Sequence, residues 1–306
     1  MEKLNRKDLI SISELSIEEV NLILKETESL KKGPRNTKHL EGKTLAMIFE
    51  KSSTRTRVSF ETGIYQLGGL GMFFSPKDLQ MGRGETIHDT AKVLSRFVNG
   101  IMARTFSHQT VLDLAKYATV PVINGLTDFD HPCQALCDIF TVYEKRGKLK
   151  GLTMAYIGDG NNVLHSLIQA CVKVGMHINY ASPIGYKPLQ WVVDEAHEVA
   201  KVTGSKINAK ENAYDATADA DVIYTDVWVS MGQEEENEKR KKDLKDFQLN
   251  GELMKKAKKD VLVMHCLPAH RGEEITDEVI DGPNSIVFDQ AENRMHVQKA
   301  IMKLLM

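Results

Sequence analysis

A chain of 306 residues that is 42% apolar and 27% charged has the composition of a globular protein, one large domain or two ordinary ones. Forty basic against forty-two acidic residues leave a net charge of −2, which excludes an overall field for nucleic acid and means that an acidic ligand must be met by a local cluster. No run of eighteen apolar residues marks a membrane span, and the opening MEKLNRKDLISISELSIEEV carries early acids and no apolar core, unlike a signal or transit peptide. Cys133, Cys137, Cys171 and Cys266 show no zinc-ribbon spacing, so the expectation is ordinary thiols in a reducing cytoplasm.

Hydrophobic periodicity divides the chain. SIEEVNLILKETESLKK predicts a helix carrying Val20, Leu22, Ile23 and Leu24, with Ser16 and Glu19 spaced as a capping box. KTLAMIFE predicts a strand and STRTRVSFETGIYQLGG the helix after it. Phe60, Ile64 and Leu67 share one face of that helix, and Gly68-Gly69 supplies the stop. GLGMFFS is a short strand, and GETIHDTAKVLSRFV a helix striped by Ile87, Ala91, Leu94 and Val98. GIMART is a strand ending on Arg104, TVLDLAKYA a helix, VPVING a strand, and HPCQALCDIFTVYEKRG a helix stopped by Gly147.

The pattern restarts at KLKGLTMAYIGDGNNVLHSLIQACVKVGMHINYASP, where strand, glycine turn, helix and strand follow as in a parallel βαβ unit. A domain boundary is therefore expected between Gly147 and Gly151. ADVIYTDVW and KDVLVMHCLP are later apolar strands with polar ends, where open α/β sheets bind their ligands. GQEEENEKRKKDLKDF has the pattern of a solvated charge run with i,i+4 pairs. ENRMHVQKAIMKLLM predicts a helix that docks through Met295, Ala300 and Leu304.

The densest chemistry is in FEKSSTRTRVSFE. A strand feeding a helix at Ser53–Thr54 leaves free backbone N–H groups, Ser53, Thr54 and Thr56 add hydroxyls, and Arg55 and Arg57 add charged forks suited to phosphate. A helix that merely needed a cap would not need so many donors. Arg104 and His131 each follow a strand. His131 sits at a helix mouth, where the dipole disfavours its cation and leaves a neutral donor for a carbonyl, while Gln134 offers an amide one turn on.

IGDGNN fails the dinucleotide test: Val163 stands at the third glycine position and the next strand lacks a terminal acid. That leaves Asn161 or Asn162 to meet a substrate carboxylate. Asp226 can hold an ammonium, with Ser230 adding a hydrogen bond. Cys266 stays open between nucleophile, zinc ligand with His265 and His270, and inert packing. Arg294, beside Glu292, is either an ion-pair member or a contributor to the same cleft.

Taken in order, SSTRTR, HPCQ, DVWVSMGQE and HCLP resemble the transcarbamoylases over essentially the whole chain. STRTR and HP-x-Q are common to that family, whereas SMG and HCLP mark its ornithine branch. The resemblance implies an α/β protein of two lobes, each a parallel sheet flanked by helices, joined by crossing helices with the active site in the cleft. It implies a carbamoyl-phosphate-binding domain over residues 1–147, with the C-terminal helix 289–306 packing back on it, and an ornithine-binding domain over residues 148–288. The implied reaction moves the carbamoyl group of carbamoyl phosphate to the side-chain amine of L-ornithine, giving L-citrulline and phosphate, with no cofactor and no metal.

Motif for motif, the resemblance puts Ser53, Thr54, Arg55, Thr56 and Arg57 on the phosphate, and Arg104, His131 and Thr56 on the carbonyl oxygen. Gln134, the Leu267 carbonyl and Arg294 would address the carbamoyl NH2. Asn162, Asp226, Ser230 and Met231 would take the amino-acid end of ornithine, with Cys266 beside the side-chain amine. Arg104, His131, Asp226 and Cys266 form the implied catalytic set. A homotrimer or a multiple of one is implied as well, in which KDLQMGRGE carries Gln80 to a neighbour's phosphate pocket. Neither nucleic acid nor membrane is an expected partner. The rivals are a sibling transcarbamoylase acting on N-acetylornithine or putrescine, an NAD-dependent dehydrogenase, and a non-catalytic two-lobed amino-acid binder. Asp226 beside SMG argues for a free α-amino acid, and a mere binder would not need Arg55, Arg57, Arg104 and His131 together.

Overall fold

Helix starts in this chain are set by short polar side chains that accept a first-turn N–H. Helix α1 (Ile17–Lys32) is capped by Ser16, and Glu19 closes the capping box from the other side. Ser53 caps α2 (Thr54–Gln66), Thr86 caps α3 (Ile87–Phe97) and Ser107 caps α4 (His108–Tyr117). Between them run β1 (Thr44–Phe49), β2 (Leu70–Phe74), β3 (Gly100–Arg104) and β4 (Val122–Leu126). The computed structural model describes residues 2–81, 84–229 and 234–306.

The four strands form a wholly parallel sheet in the order β2-β1-β3-β4. Apart from Thr44 and Arg104 at their ends, its central strands are apolar and buried, as strands covered on both faces must be. Helix α5 (Pro132–Arg146) follows. A second parallel sheet, ordered β7-β6-β5-β8-β9, is built from β5 (Thr153–Ile157), β6 (His177–Ala181), β7 (Ile207–Lys210), β8 (Val222–Thr225) and β9 (Leu262–His265). Its connections carry α6 (Asn162–Lys173), α7 (Gln190–Thr203), α8 (Ala213–Thr217), α9 (Asn237–Leu244) and α10 (Gly251–Met254), and α11 (Asp277–Ile280) and α12 (Val287–Leu305) end the chain. The fold is thus the α/β class expected, with two parallel sheets flanked by helices.

The chain divides into two compact units, Met1–Cys137 with Glu292–Met306, and Asp138–Ala291. Each has its own apolar core: Ala46, Ile48, Ile101, Val111 and Leu114 belong to the first, Ala155, Ile157, Ile223, Val263 and Ile275 to the second. The last helix differs from the stripe expected of it. Ala300 and Leu304 are buried and Met295 half-buried, but Asn293, Arg294, Gln298 and Lys299 are buried too. Its polar seam is bonded into the first unit: Lys299 Nζ donates to Gln66 Oε1 and to the Arg35 carbonyl, both at 3.0 Å, and Lys31 Nζ donates to Asn293 Oδ1 at 2.7 Å. A buried ammonium is tolerated only with such acceptors in place.

One glycine turn is fixed by close approach. The Gly160 N–H donates to the Tyr186 carbonyl at 2.7 Å, and a Cβ there would lie 2.5 Å from the same oxygen and collide with the Lys187–Pro188 backbone. Gly160→Ala is therefore expected to lower stability by about 1–3 kcal/mol, the usual scale of overpacking, with urea denaturation as the check; an unchanged midpoint would show that the turn can give way.

Candidate active site

In the first sheet β1 lies between β2 and β3, so the connections leaving β1 and β3 run to opposite sides and leave a crevice at their carboxyl ends. Phe49 and Arg104 end these two strands in register, and the pairing of β3 with β4 shifts at Ala103/Arg104. Beyond β1 the Ser53 Oγ accepts the Thr56 N–H at 3.2 Å, which opens α2 and buries the Thr56 side chain. Arg294, from α12 and also buried, donates through Nη2 to Thr56 Oγ1 at 2.7 Å.

His131 is buried at the start of α5, its carbonyl accepting the N–H groups of Gln134 and Ala135. Burial, with the Arg294 and Arg104 charges next in size, pushes its imidazole well below the usual histidine range. The neutral form predicted from the helix dipole therefore has stronger causes that the sequence did not display. Thr56, Arg104, His131, Gln134 and Arg294 are thus gathered and buried together in one unit.

Other members of the expected set lie differently. Thr54 is exposed and Arg55 half-buried on the opening turn of α2. Arg57, roughly 200° around the helix from Arg55, has its guanidinium 3.7 Å from the centre of the Phe73 ring and its Nε 3.1 Å from Glu61 Oε1. It faces β2 and is not brought to Thr56. Gln80 is exposed on the connection between β2 and α3, its carbonyl accepting the Glu85 N–H at 3.1 Å.

The second sheet repeats the device. Strand β5 lies between β6 and β8, so the segments after β5 and β8 flank another crevice. Asn161 caps α6 by accepting the N–H groups of Val163 and Leu164, and it donates through Nδ2 to Asp226 Oδ2 at 2.8 Å. Asn161 thus bonds to the protein through both ends of its amide, and Asn162, the next residue, begins α6 half-buried. Asp226 is buried just after β8, and its Oδ1 accepts the Cys266 thiol at 2.9 Å. Ser230 and Met231 lie outside the described residues.

Leu267 follows with a φ of +56°, its N–H donating to His265 Nδ1 at 2.9 Å. His265 is fully buried, and its Nε2 lies 3.0 Å from Glu274 Oε1, so its proton sits on Nε2. Glu274 was not legible as a partner; the only signal was that a histidine on a buried strand end must be satisfied. Asp226, His265 and Cys266 present ligand atoms within 4.8 Å of one another, as do His270, Glu273 and Glu274. Both imidazole nitrogens of His265 are already bonded, so a cation at the first group would have to displace one of those bonds. The charge run also departs from expectation, because Arg240 within it is buried and bonded to Asp159.

The state of His131 has a sign that can be checked. An unfolded histidine takes up its proton near pH 6.5, whereas folded His131 resists doing so, so its contribution to stability is present above about 6.5 and is lost as pH falls through its lower folded value. NMR of the imidazole is expected to show a neutral ring at pH 6, and a titration midpoint near 6.5 would contradict it.

Two family models match the chain: the aspartate/ornithine carbamoyltransferase carbamoyl-P binding domain over residues 7–144, and the Asp/Orn binding domain of the same family over residues 150–305. An ornithine carbamoyltransferase of Thermococcus kodakarensis is 57% identical over 98% of this chain and 96% of its own. The solved ornithine carbamoyltransferase of Pyrococcus furiosus superposes with a TM-score of 0.96 at 53% identity, covering 100% of this chain and 99% of that one. A solved acetylornithine transcarbamylase complexed with acetylcitrulline matches at a TM-score of 0.89 and 30% identity over 98% of this chain and 99% of its own. With both halves matched and relatives above half identity along nearly its full length, the chain belongs to the aspartate/ornithine carbamoyltransferase family.

Proposed function

We propose that the chain transfers the carbamoyl group of carbamoyl phosphate to the side-chain amine of L-ornithine, giving L-citrulline and inorganic phosphate. The observation that carries this reading is the buried group of Thr56, Arg104, His131 and Arg294, in which two guanidiniums, a hydroxyl and a neutral imidazole converge. Such donors suit a small acyl phosphate whose carbonyl oxygen becomes an oxyanion. Ornithine as acceptor is supported by the relatives at 53–57% identity that carry that name, against 30% for the acetylornithine enzyme.

Ser53, Thr54, Arg55 and Thr56 receive the phosphoryl oxygens at the opening of α2, where the first N–H groups of a helix point outward. Arg57 adds charge to that end while bracing α2 on Phe73. Arg104, His131 and Thr56 address the carbonyl oxygen, and Gln134, Arg294 and the Leu267 carbonyl the carbamoyl NH2. Asn162, Asp226, Ser230 and Met231 take the amino-acid end of ornithine, with Cys266 beside its amine. The free-base nitrogen attacks the carbamoyl carbon, a C–N bond forms, and the carbonyl pair moves onto oxygen. Collapse of that oxyanion breaks the carbon–oxygen bond to phosphate, and the surplus proton leaves the nitrogen along the Cys266–Asp226 side.

We also infer a homotrimer. Strand β2 is a sheet edge, and Tyr65, Leu70 and Phe97 present large exposed apolar side chains on α2, β2 and α3. Gln80, on the connection that follows β2, is then placed to serve a neighbour's phosphate. Free thiols at all four cysteines fit a reducing cytoplasm, and no helix among the described residues is long and apolar enough to cross a membrane.

Phosphate release from carbamoyl phosphate is expected to depend strictly on ornithine, with N-acetylornithine and putrescine as comparison amines; faster turnover of either comparison amine would replace the substrate assignment. Arg104→Ala is expected to lower kcat by about 10²- to 10³-fold with the fold intact by circular dichroism, the scale of a lost oxyanion donor. Near-normal turnover would remove Arg104 from the chemistry. Mixing inactive Arg55→Ala and Gln80→Ala chains is expected to regain activity, since some pockets then draw both native residues from different chains. Assembled mixtures without recovery would rule out a shared pocket.

A further inference from the structure

Arg240 stands inside a charge run, yet its side chain is buried and its guanidinium is bonded through both Nη1 and Nε. Nη1 donates to Asp159 Oδ2 and to the Trp228 carbonyl, both at 3.0 Å, and Nε donates to Glu236 Oε2 at 3.1 Å. Its central carbon lies 5.0 Å from the middle of the Tyr186 ring, within a small apolar cluster of Tyr186, Trp228 and Leu244. Tyr186 holds the Gly160 N–H through its carbonyl, so the same cluster grips the glycine turn. A buried guanidinium is tolerated only with this quality of bonding, and a planar fork can span several oxygens where a lysine could not.

What these bonds join gives Arg240 a consequence. Asp159 lies two residues before Asn161, and Trp228 two residues after Asp226. Asn161 and Asp226 are the hydrogen-bonded pair at 2.8 Å, and the other oxygen of Asp226 receives the Cys266 thiol. Arg240 thus ties together the two chain segments that carry both ends of the pair. We propose that Arg240 is a positioning residue for amino-acid binding: it clamps the β5–α6 turn to the segment after β8 and so fixes the Asn161–Asp226–Cys266 chain of hydrogen bonds. This rests on the reading that Asp226 and Cys266 receive ornithine. Burial, with Asp226 and Glu236 adding to it and Arg240 opposing, raises the Asp159 carboxyl to about 6, so the clamp is an ion pair above that pH.

The test uses Arg240→Gln and, in case that variant does not fold, Arg240→Lys, which keeps a charge but not the fork. Two readouts are compared with the parent. The KM for ornithine is expected to rise roughly tenfold or more, as displacement of an orienting group commonly costs, with the KM for carbamoyl phosphate within about twofold. The second readout needs no substrate: alkylation of Cys266 by iodoacetamide, followed by peptide mass spectrometry, is expected to accelerate once the Asp226 carboxylate is no longer held against the thiol. Cys133, Cys137 and Cys171 are buried and serve as internal references. Unchanged ornithine KM and unchanged alkylation in a folded variant would overturn the clamp, and so would an equal rise in both KM values with a matching fall in melting temperature. A parent enzyme inert toward ornithine, with Cys266 still accelerated in the variant, would refute the substrate and leave the clamp standing.

Discussion

Parallel strands whose connections part to opposite sides leave backbone ends and polar side chains facing an open crevice, and the chemistry of this chain depends on that constraint. It operates twice, between β1 and β3 in one sheet and between β5 and β8 in the other. In each case the strands are apolar along their length and turn polar at the last residue or just past it: Arg104 after Met102 and Ala103, Asp226 after Tyr224 and Thr225. Burial along the strand fixes the register, and the register then fixes where the first polar side chain emerges.

Groups placed at such crevices are mostly buried, so each must be satisfied or changed by its surroundings. Arg294 spends one donor on Thr56, and together with Arg104 and burial it keeps His131 neutral. A neutral imidazole near two cations can donate to a carbonyl without adding a third charge, so its bond strengthens as that oxygen becomes an oxyanion. The opposite solution appears in the second unit. There His265 and Glu274 are both fully buried and bonded to each other, and the imidazole's second nitrogen holds the Leu267 N–H in a left-handed conformation that a leucine adopts only under constraint.

Much of this was legible in the residue order. Strands and helices of the first unit follow their hydrophobic periods and caps closely, since Ser53, Thr86 and Ser107 announce helices and the intervening strands are mostly apolar. Which side chains bond to each other across long sequence distances was not legible from periodicity or spacing. Arg294 with Thr56 spans 238 positions, Arg240 with Asp159 spans 81, and no periodicity links them. Arg57 shows the limit from the other side. Its place in the run of donors points to phosphate, yet the run does not show that two residues along a helix turn it roughly 200° from Arg55, so that it also packs on Phe73 and pairs with Glu61. The polar seam of α12 was hidden for a related reason, since Lys299 appears solvent-seeking until Gln66 and the Arg35 carbonyl are known to face it.

On the proposed assignment, selectivity among amines follows from the state of Asp226. One oxygen accepts from Asn161 and the other from Cys266, so the carboxylate is oriented by two neutral donors of the protein. A free α-ammonium brings a charged donor to the carboxylate's remaining acceptor capacity. An acetylated α-nitrogen brings a neutral amide and extra bulk, and a diamine lacks the carboxylate that Asn162 is proposed to meet. Each of those ligands forgoes one of the proposed polar contacts, and sites built to hydrogen-bond a substrate group discriminate against ligands lacking it far more strongly than apolar pockets do. Selectivity for the free amino acid would then reside less in pocket shape than in a carboxylate held in place by Asn161 and Cys266.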